Sequence, residues 1–177
     1  MSVYQKLTAF GKRFVSYNVL FKYGFNWSPM YRRSTGKVIF VSEDLSTIRI
    51  KIPLSWKNKN YVNSVFGGSM FSAVDPIPMV QLINLLDDSF VVWDKSAIIK
   101  FKRPAKEDLF AEFIFVDEEV TAIRNGVAKE KEIEIIKKTI LTNKDGDKEF
   151  CTVEKTIYIA DKNFYKQKRK KAANSVN

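Results

Sequence analysis

Residues 58–86 read NKNYVNSVFGGSMFSAVDPIPMVQLINLL, and this stretch decides the fold. From Gly68 to Leu86 the spacing is helical, with Met70, Val74, Ile77, Val80, Gln81 and Leu85 near one face. The segment is apolar almost all round, as a helix covered by a sheet should be. Pro76 and Pro78 each remove a backbone donor, so they should bend or divide that helix.

Outward from this helix the chain is rich in strands. Lys37 to Val41 and Thr47 to Pro53 read as two strands joined by Ser42–Ser46; in the second, Ile48, Ile50 and Ile52 alternate with Arg49 and Lys51. Beyond the helix, Val91–Arg103, Leu109–Val116, Glu132–Leu141 and Phe150–Ala160 are further strands. Residues 143–147, NKDGD, suit a hairpin turn between the last two. Glu118 to Val127 reads as a helical turn closed by Gly126. Strands with segregated helices predict an α+β fold with a mostly antiparallel sheet.

Residues 3–23 add an N-terminal amphipathic helix, with Val3, Tyr4, Leu7, Phe10, Phe14, Tyr17, Leu20 and Phe21 on its apolar face. The expected organisation is this helix and a loop over 1–34, one domain over 35–163, and a basic flexible tail over 164–177.

Composition removes several classes of chemistry. The chain of 177 residues has no histidine, so it holds no Ser-His-Asp triad, Cys-His pair or HExxH zinc site of its own. Its one cysteine, Cys151, allows no intrachain disulfide or cysteine-based zinc cluster, and suggests a reducing, cytoplasmic setting. The reading calls for no cofactor and no metal. The first residues lack the pattern of a signal peptide, and no apolar run reaches the roughly 18 residues of a transmembrane helix.

The formal net charge of +10 sits at the ends. Residues 1–33 carry six basic side chains and no acidic ones, and the tail carries five more, which leaves residues 34–163 at −1. Basic ends can bind nucleic acid or an anionic membrane, although a solvated tail is the plainer reading of such a run.

Within this frame, residues 58–76 (NKNYVNSVFGGSMFSAVDP) and 91–105 (VVWDKSAIIKFKRPA) resemble the thioesterase-like branch of the hotdog superfamily. Relatives such as phenylacetyl-CoA thioesterases show an Asn, a His-Gly-Gly six residues on, and an acidic residue nine beyond the His. Asn60, Phe66-Gly67-Gly68 and Asp75 keep that spacing, with Phe66 in place of the His.

The resemblance implies a hotdog fold and an acyl-CoA or related thioester as substrate. It also implies a homodimer or homotetramer whose site lies between protomers, with no specific nucleic-acid partner. Asp75 would act as general base or nucleophile. Backbone N–H groups at Gly67 and Gly68 would stabilise the developing oxyanion, and Asn60 would belong to the same site. Asp94 falls near where relatives carry a Ser or Thr from the partner protomer; with Ser96, Phe66, Lys102 and Arg103 it is placed on the substrate side, the cations suiting coenzyme A phosphates.

Each residue also has a structural reading. Asp75-Pro76 can be a helix start with Asp as cap, and Asn60 can close its loop. The glycines can serve close packing, and Asp94 can pair with Lys95 or another cation. Cys151 reads as a buried thiol. A non-catalytic acyl or acyl-CoA binding protein is the alternative function, and an adaptor acting through the basic ends is a third.

Overall fold

The computed structural model describes residues 16–174. Helices α1 (Tyr17–Trp27) and α2 (Pro29–Arg33) lead into strands β1 (Lys37–Val41) and β2 (Thr47–Ile52). Next come α3 (Gly67–Val74), α4 (Pro76–Leu85), β3 (Phe90–Phe101), β4 (Leu109–Ile114) and α5 (Asp117–Glu130). Strands β5 (Glu132–Thr142) and β6 (Glu149–Asp161) and helix α6 (Lys162–Asn174) complete the described chain. The six strands form one sheet in the order β1-β2-β4-β5-β6-β3, every neighbour antiparallel. This sheet wraps the α3–α4 helix, which is the hotdog arrangement.

Alternation puts one side of each strand onto that helix. In β2, Ile48, Ile50 and Ile52 are fully buried, and in β6 so are Cys151, Val153, Ile157 and Ile159. They meet Met70, Ala73, Val74, Ile77 and Leu82 of the helix in two contiguous cores. Each large aliphatic side chain so buried contributes about 1.5–3 kcal/mol.

Pro76 divides the central helix. It stands at the first position of α4, and Asp75 joins the two halves with helical φ −46° and ψ −53°. The break redirects the axis without ending the helical run.

Three expectations need correction. Residues 118–127 are not one turn closed by Gly126 but part of the 14-residue α5. Gly126 lies inside that helix because a Cβ there would stand 3.2 Å from Ile133 Cδ1, so it admits close packing on β5. The left-handed cap is Lys131, at φ 68°. The loop expected after residue 23 within 1–34 is mostly helical, since α1 runs on to Trp27 and, after Ser28, Pro29 opens α2. The tail expected to be flexible is helical in α6, where Lys168 ion-pairs with Glu132 and Tyr165 meets Tyr158.

Of the N-terminal helix, Val3, Tyr4, Leu7, Phe10 and Phe14 lie outside the described residues. Its described end, α1, buries Phe21 and stacks it on Phe25. Among the described residues no helix is long and apolar enough to cross a membrane.

Candidate active site

The break in the central helix meets β6 and β3 through one buried cation. Lys155 lies on the inward side of β6, between Val153 and Ile157, and is 1% exposed. Its Nζ donates to the Asp75 carbonyl oxygen, to Asp75 Oδ1 and to Asp94 Oδ2, each at 2.6 Å. An ammonium has three hydrogens, and all three are used.

Both carboxylates therefore touch a single nitrogen, but their surroundings differ. The Asp75 side chain is 44% exposed, whereas that of Asp94 is 24% exposed. Asp94 Oδ1 is buried without a hydrogen-bond partner. Loss of solvent pushes the Asp94 carboxyl above the usual carboxylate range; Lys155 opposes the rise and the charge of Asp75 adds to it. Asp75 lends no side-chain cap to α4, so its carboxylate goes to Lys155 instead of serving as the N-cap.

Local irregularity in β3 aims Asp94 inward. Asp94 pairs with Ile157 and Ser96 with Thr156, so Lys95 is an extra residue between them. This bulge changes the parity of the strand. Val92 and Asp94 face in before it, opposite Ile159 and Ile157; Ala97, Ile99 and Phe101 lie opposite the inward Lys155, Val153 and Cys151 after it. Lys95 itself pairs with Glu134. The cation partner of Asp94 is thus Lys155 and not Lys95. The resemblance placed Asp94 at a position filled from the partner protomer, yet here it shares a cation with Asp75 of its own chain.

The glycine pair opens α3, and neither glycine has a positive φ. Their lack of a side chain serves close approach. A Cβ on Gly67 would lie 2.7 Å from Phe101 Cζ, and one on Gly68 would lie 2.3 Å from Phe66 Cε1. Phe66 is the cap residue of α3, 57% exposed and without a side-chain cap bond. The Gly67 and Gly68 amides are the first of the helix and have no intrahelical acceptor. Seven residues of helix rise separate Gly68 from Asp75, about 10 Å. One thioester group cannot touch both within one chain.

The other expected residues stand apart from the Lys155 cluster. Asn60 closes its own loop: Oδ1 accepts from the Val62 and Ser64 amides at 3.1 and 3.0 Å, and Nδ2 meets Ser64 Oγ at 2.9 Å. Ser96 and Arg103 are exposed, and Lys102 pairs with Glu149. Cys151 is fully buried, and burial pushes its thiol up to about 11, which leaves it inert as a nucleophile. Two open clefts, of about 550 and 580 Å³, are lined by residues around Trp27 and Trp56 and by the outer face of β2 and β4; Asp75 lines neither.

Sequence reading missed Lys155, although the signal was present. Cys151, Val153, Ile157 and Ile159 form a clean apolar alternation, and Lys155 occupies its inward phase. A charge at such a position is costly unless paired, so it points to a buried acid elsewhere.

Solved structures share this architecture. A protein of unknown function from Pseudomonas aeruginosa, PA5026, described as a probable thioesterase, superposes with a TM-score of 0.71 at 19% identity, over 81% of this chain and 95% of its own. Thioesterase HI1161 from Haemophilus influenzae gives 0.57 at 10% identity, over 78% and 87%. A mutant of thioesterase PA1618 from Pseudomonas aeruginosa gives 0.57 at 9%, over 78% and 91%. No curated protein matches in sequence. At these identities the likeness carries the fold alone. Residues 18–159 match the family described as a domain of unknown function, DUF4442, and the chain belongs to that family.

Proposed function

We propose that this protein hydrolyses an acyl-CoA-type thioester, with Asp75 as general base or nucleophile and the Gly67 and Gly68 amides as oxyanion donors. The observation that carries the reading is the Asp75 carboxylate, held by a buried ammonium through Oδ1 while the side chain stays 44% exposed. Asp75 Oδ2 bonds no protein group among the described residues, so it can address substrate or water. As a base, Asp75 would take a proton from water as the water oxygen attacks the thioester carbon. The C–S bond then breaks and the thiolate leaves.

Because the amides and Asp75 are about 10 Å apart along one helix, a carbonyl seated on the amides would meet the carboxylate of a second copy. The working form is therefore a homodimer or homotetramer. Exposed Phe66 and Phe101 give the helix start an apolar rim for an acyl chain. Lys102 and Arg103 could turn to coenzyme A phosphates, Lys102 exchanging its Glu149 partner. A reducing compartment, the cytoplasm, suits the lone thiol of Cys151.

One observation favours a second reading. The Phe66 ring lies against Gly68, over the backbone that the oxyanion would use. A non-catalytic acyl or acyl-CoA binding protein follows if the ring stays there. Thiol release over a panel of acyl-CoAs, with binding measured in parallel, separates the two. Hydrolysis by the wild type that is lost in Asp75→Asn supports the enzyme; binding with no thiol release on any substrate supports the binding protein and ends the first reading.

A further inference from the structure

We propose that Lys155 is a positioning residue for Asp75 and that Asp94 is its second counter-ion, so that the three side chains work as one coupled unit. This rests on the reading of Asp75 as the working carboxylate.

The geometry exceeds what a structural pin needs. Burying an ammonium on an apolar strand face costs more than burying a methionine of similar length. A pin at the Pro76 break would need only the Asp75 carbonyl and one anion. Lys155 instead grips the carbonyl and Oδ1 of the same residue, both at 2.6 Å. That double hold fixes the rotation of the Asp75 side chain and directs Oδ2 away from the cation. Asp94 Oδ2 takes the third hydrogen at 2.6 Å and completes the shell. The bulge at Lys95 brings Asp94 to this position while turning Lys95 out to Glu134.

The charged groups that act on Asp94 are few. Strand β6 contributes Lys155, and the helix break contributes Asp75. Helix α4, packed on β3, has no charged residue. Helix α6 also touches β3 but turns Lys168 to Glu132 and Lys162 to the Asp88 carbonyl. With both acids ionised the cluster carries −1; with Asp94 protonated it is neutral.

Two variants test the proposal in turnover: Lys155→Met, and the double variant Lys155→Met with Asp94→Asn, which deletes one charge of each sign and so keeps the cluster at −1. In Lys155→Met, kcat for thiol release should fall roughly 10- to 100-fold through misplacement of the base, with KM changed far less. If Lys155→Met fails to fold, the double variant carries the test and should show the same slow turnover with KM changed far less. A double variant with wild-type kcat overturns the proposal.

A wild type that cleaves no thioester ends the hydrolase reading, and carboxyl carbon NMR then decides this one. The Asp94 titration should move up in Lys155→Met, which removes the cation that holds it down, and down in Asp75→Asn, which removes the charge that raises it. Movement in neither variant means that no coupled unit exists.

Discussion

The contacts of Asp75 Oδ1 and Asp94 Oδ2 with Lys155 Nζ carry a measurable pH dependence. A carboxyl whose folded value is raised binds protons more readily folded than unfolded. For Asp94 the resulting stability is fully present below the unfolded value, about 4, and is lost as pH rises toward the raised folded value. The stability of the wild type minus that of Asp94→Asn should therefore fall as pH rises from about 4, then level off, in urea unfolding at several pH values. A difference that rises with pH would show that Asp94 is held down instead. At Asp75, a role as base predicts a loss of roughly 100- to 10,000-fold in turnover for Asp75→Asn. Asn keeps the size of the side chain and one acceptor for Lys155, so folding should survive. Asp75 was proposed from a resemblance to a family pattern that is local in sequence, an acid nine residues beyond the Phe-Gly-Gly start. A local pattern could not reveal the partner, since Lys155 is 80 residues away and the only clue is a cation in the inward phase of an apolar strand. The same limit explains Asn60. Its spacing matches the family pattern, yet the Asx bonds to Val62 and Ser64 that occupy it depend on loop conformation.

Element boundaries were legible wherever period and turn chemistry agreed. The β2 alternation of Ile48, Ile50 and Ile52 and the Asn143–Asp147 turn place strands to within a residue or two. Helix α5 was underestimated because Gly126 reads locally as a stop, whereas its reason is the tertiary contact with Ile133. Helix α6 was missed because it buries no residue, so it has no apolar face to read. Its hold comes from Lys168 on Glu132 and Tyr165 on Tyr158, which composition does not reveal. The central helix was expected to be one bent or divided element, and Pro76 does divide it. What anchors it to the β1–β2 loop is Gln81, a fully buried amide in a face otherwise read as apolar. Gln81 Nε2 donates to the carbonyls of Leu45 and Ser46, each at 2.8 Å. Gln81→Leu keeps the bulk but leaves the Leu45 carbonyl without its donor and the Ser46 carbonyl with the Phe115 amide alone, so unfolding free energy should fall by about 1–3 kcal/mol. An unchanged urea midpoint would mean that those carbonyls find other donors.

At the scale of the molecule, the sheet has one long open edge beside the site. Strand β3 runs for 12 residues at the end of the sheet order, and Trp93, Ile98 and Phe101 on it are each more than half exposed. Its inward side is only partly covered past the bulge: Ile99 packs on the core, but Ala97 is exposed, and Phe101 is 56% exposed although it stands opposite fully buried Cys151. An edge of this length and apolarity templates pairing unless it is blocked, and charged side chains, Lys above all, are the usual block. Ile98→Lys places such a charge on a side chain already 58% exposed, so the isolated fold should lose little, within about 0.5 kcal/mol. If β3 joins two copies, sedimentation at micromolar concentration should shift from an oligomer in the wild type to a monomer in Ile98→Lys, with thermal unfolding of the monomer still cooperative. Turnover should disappear together with the oligomer, because the amides of one helix and the Asp75 carboxylate of the same helix are too far apart to share a carbonyl. A variant that stays oligomeric moves the interface away from this edge. A variant that becomes monomeric and keeps full turnover shows that one chain holds a complete site, and the roughly 10 Å between Gly68 and Asp75 would then exclude the glycine amides as the oxyanion donors for chemistry at Asp75.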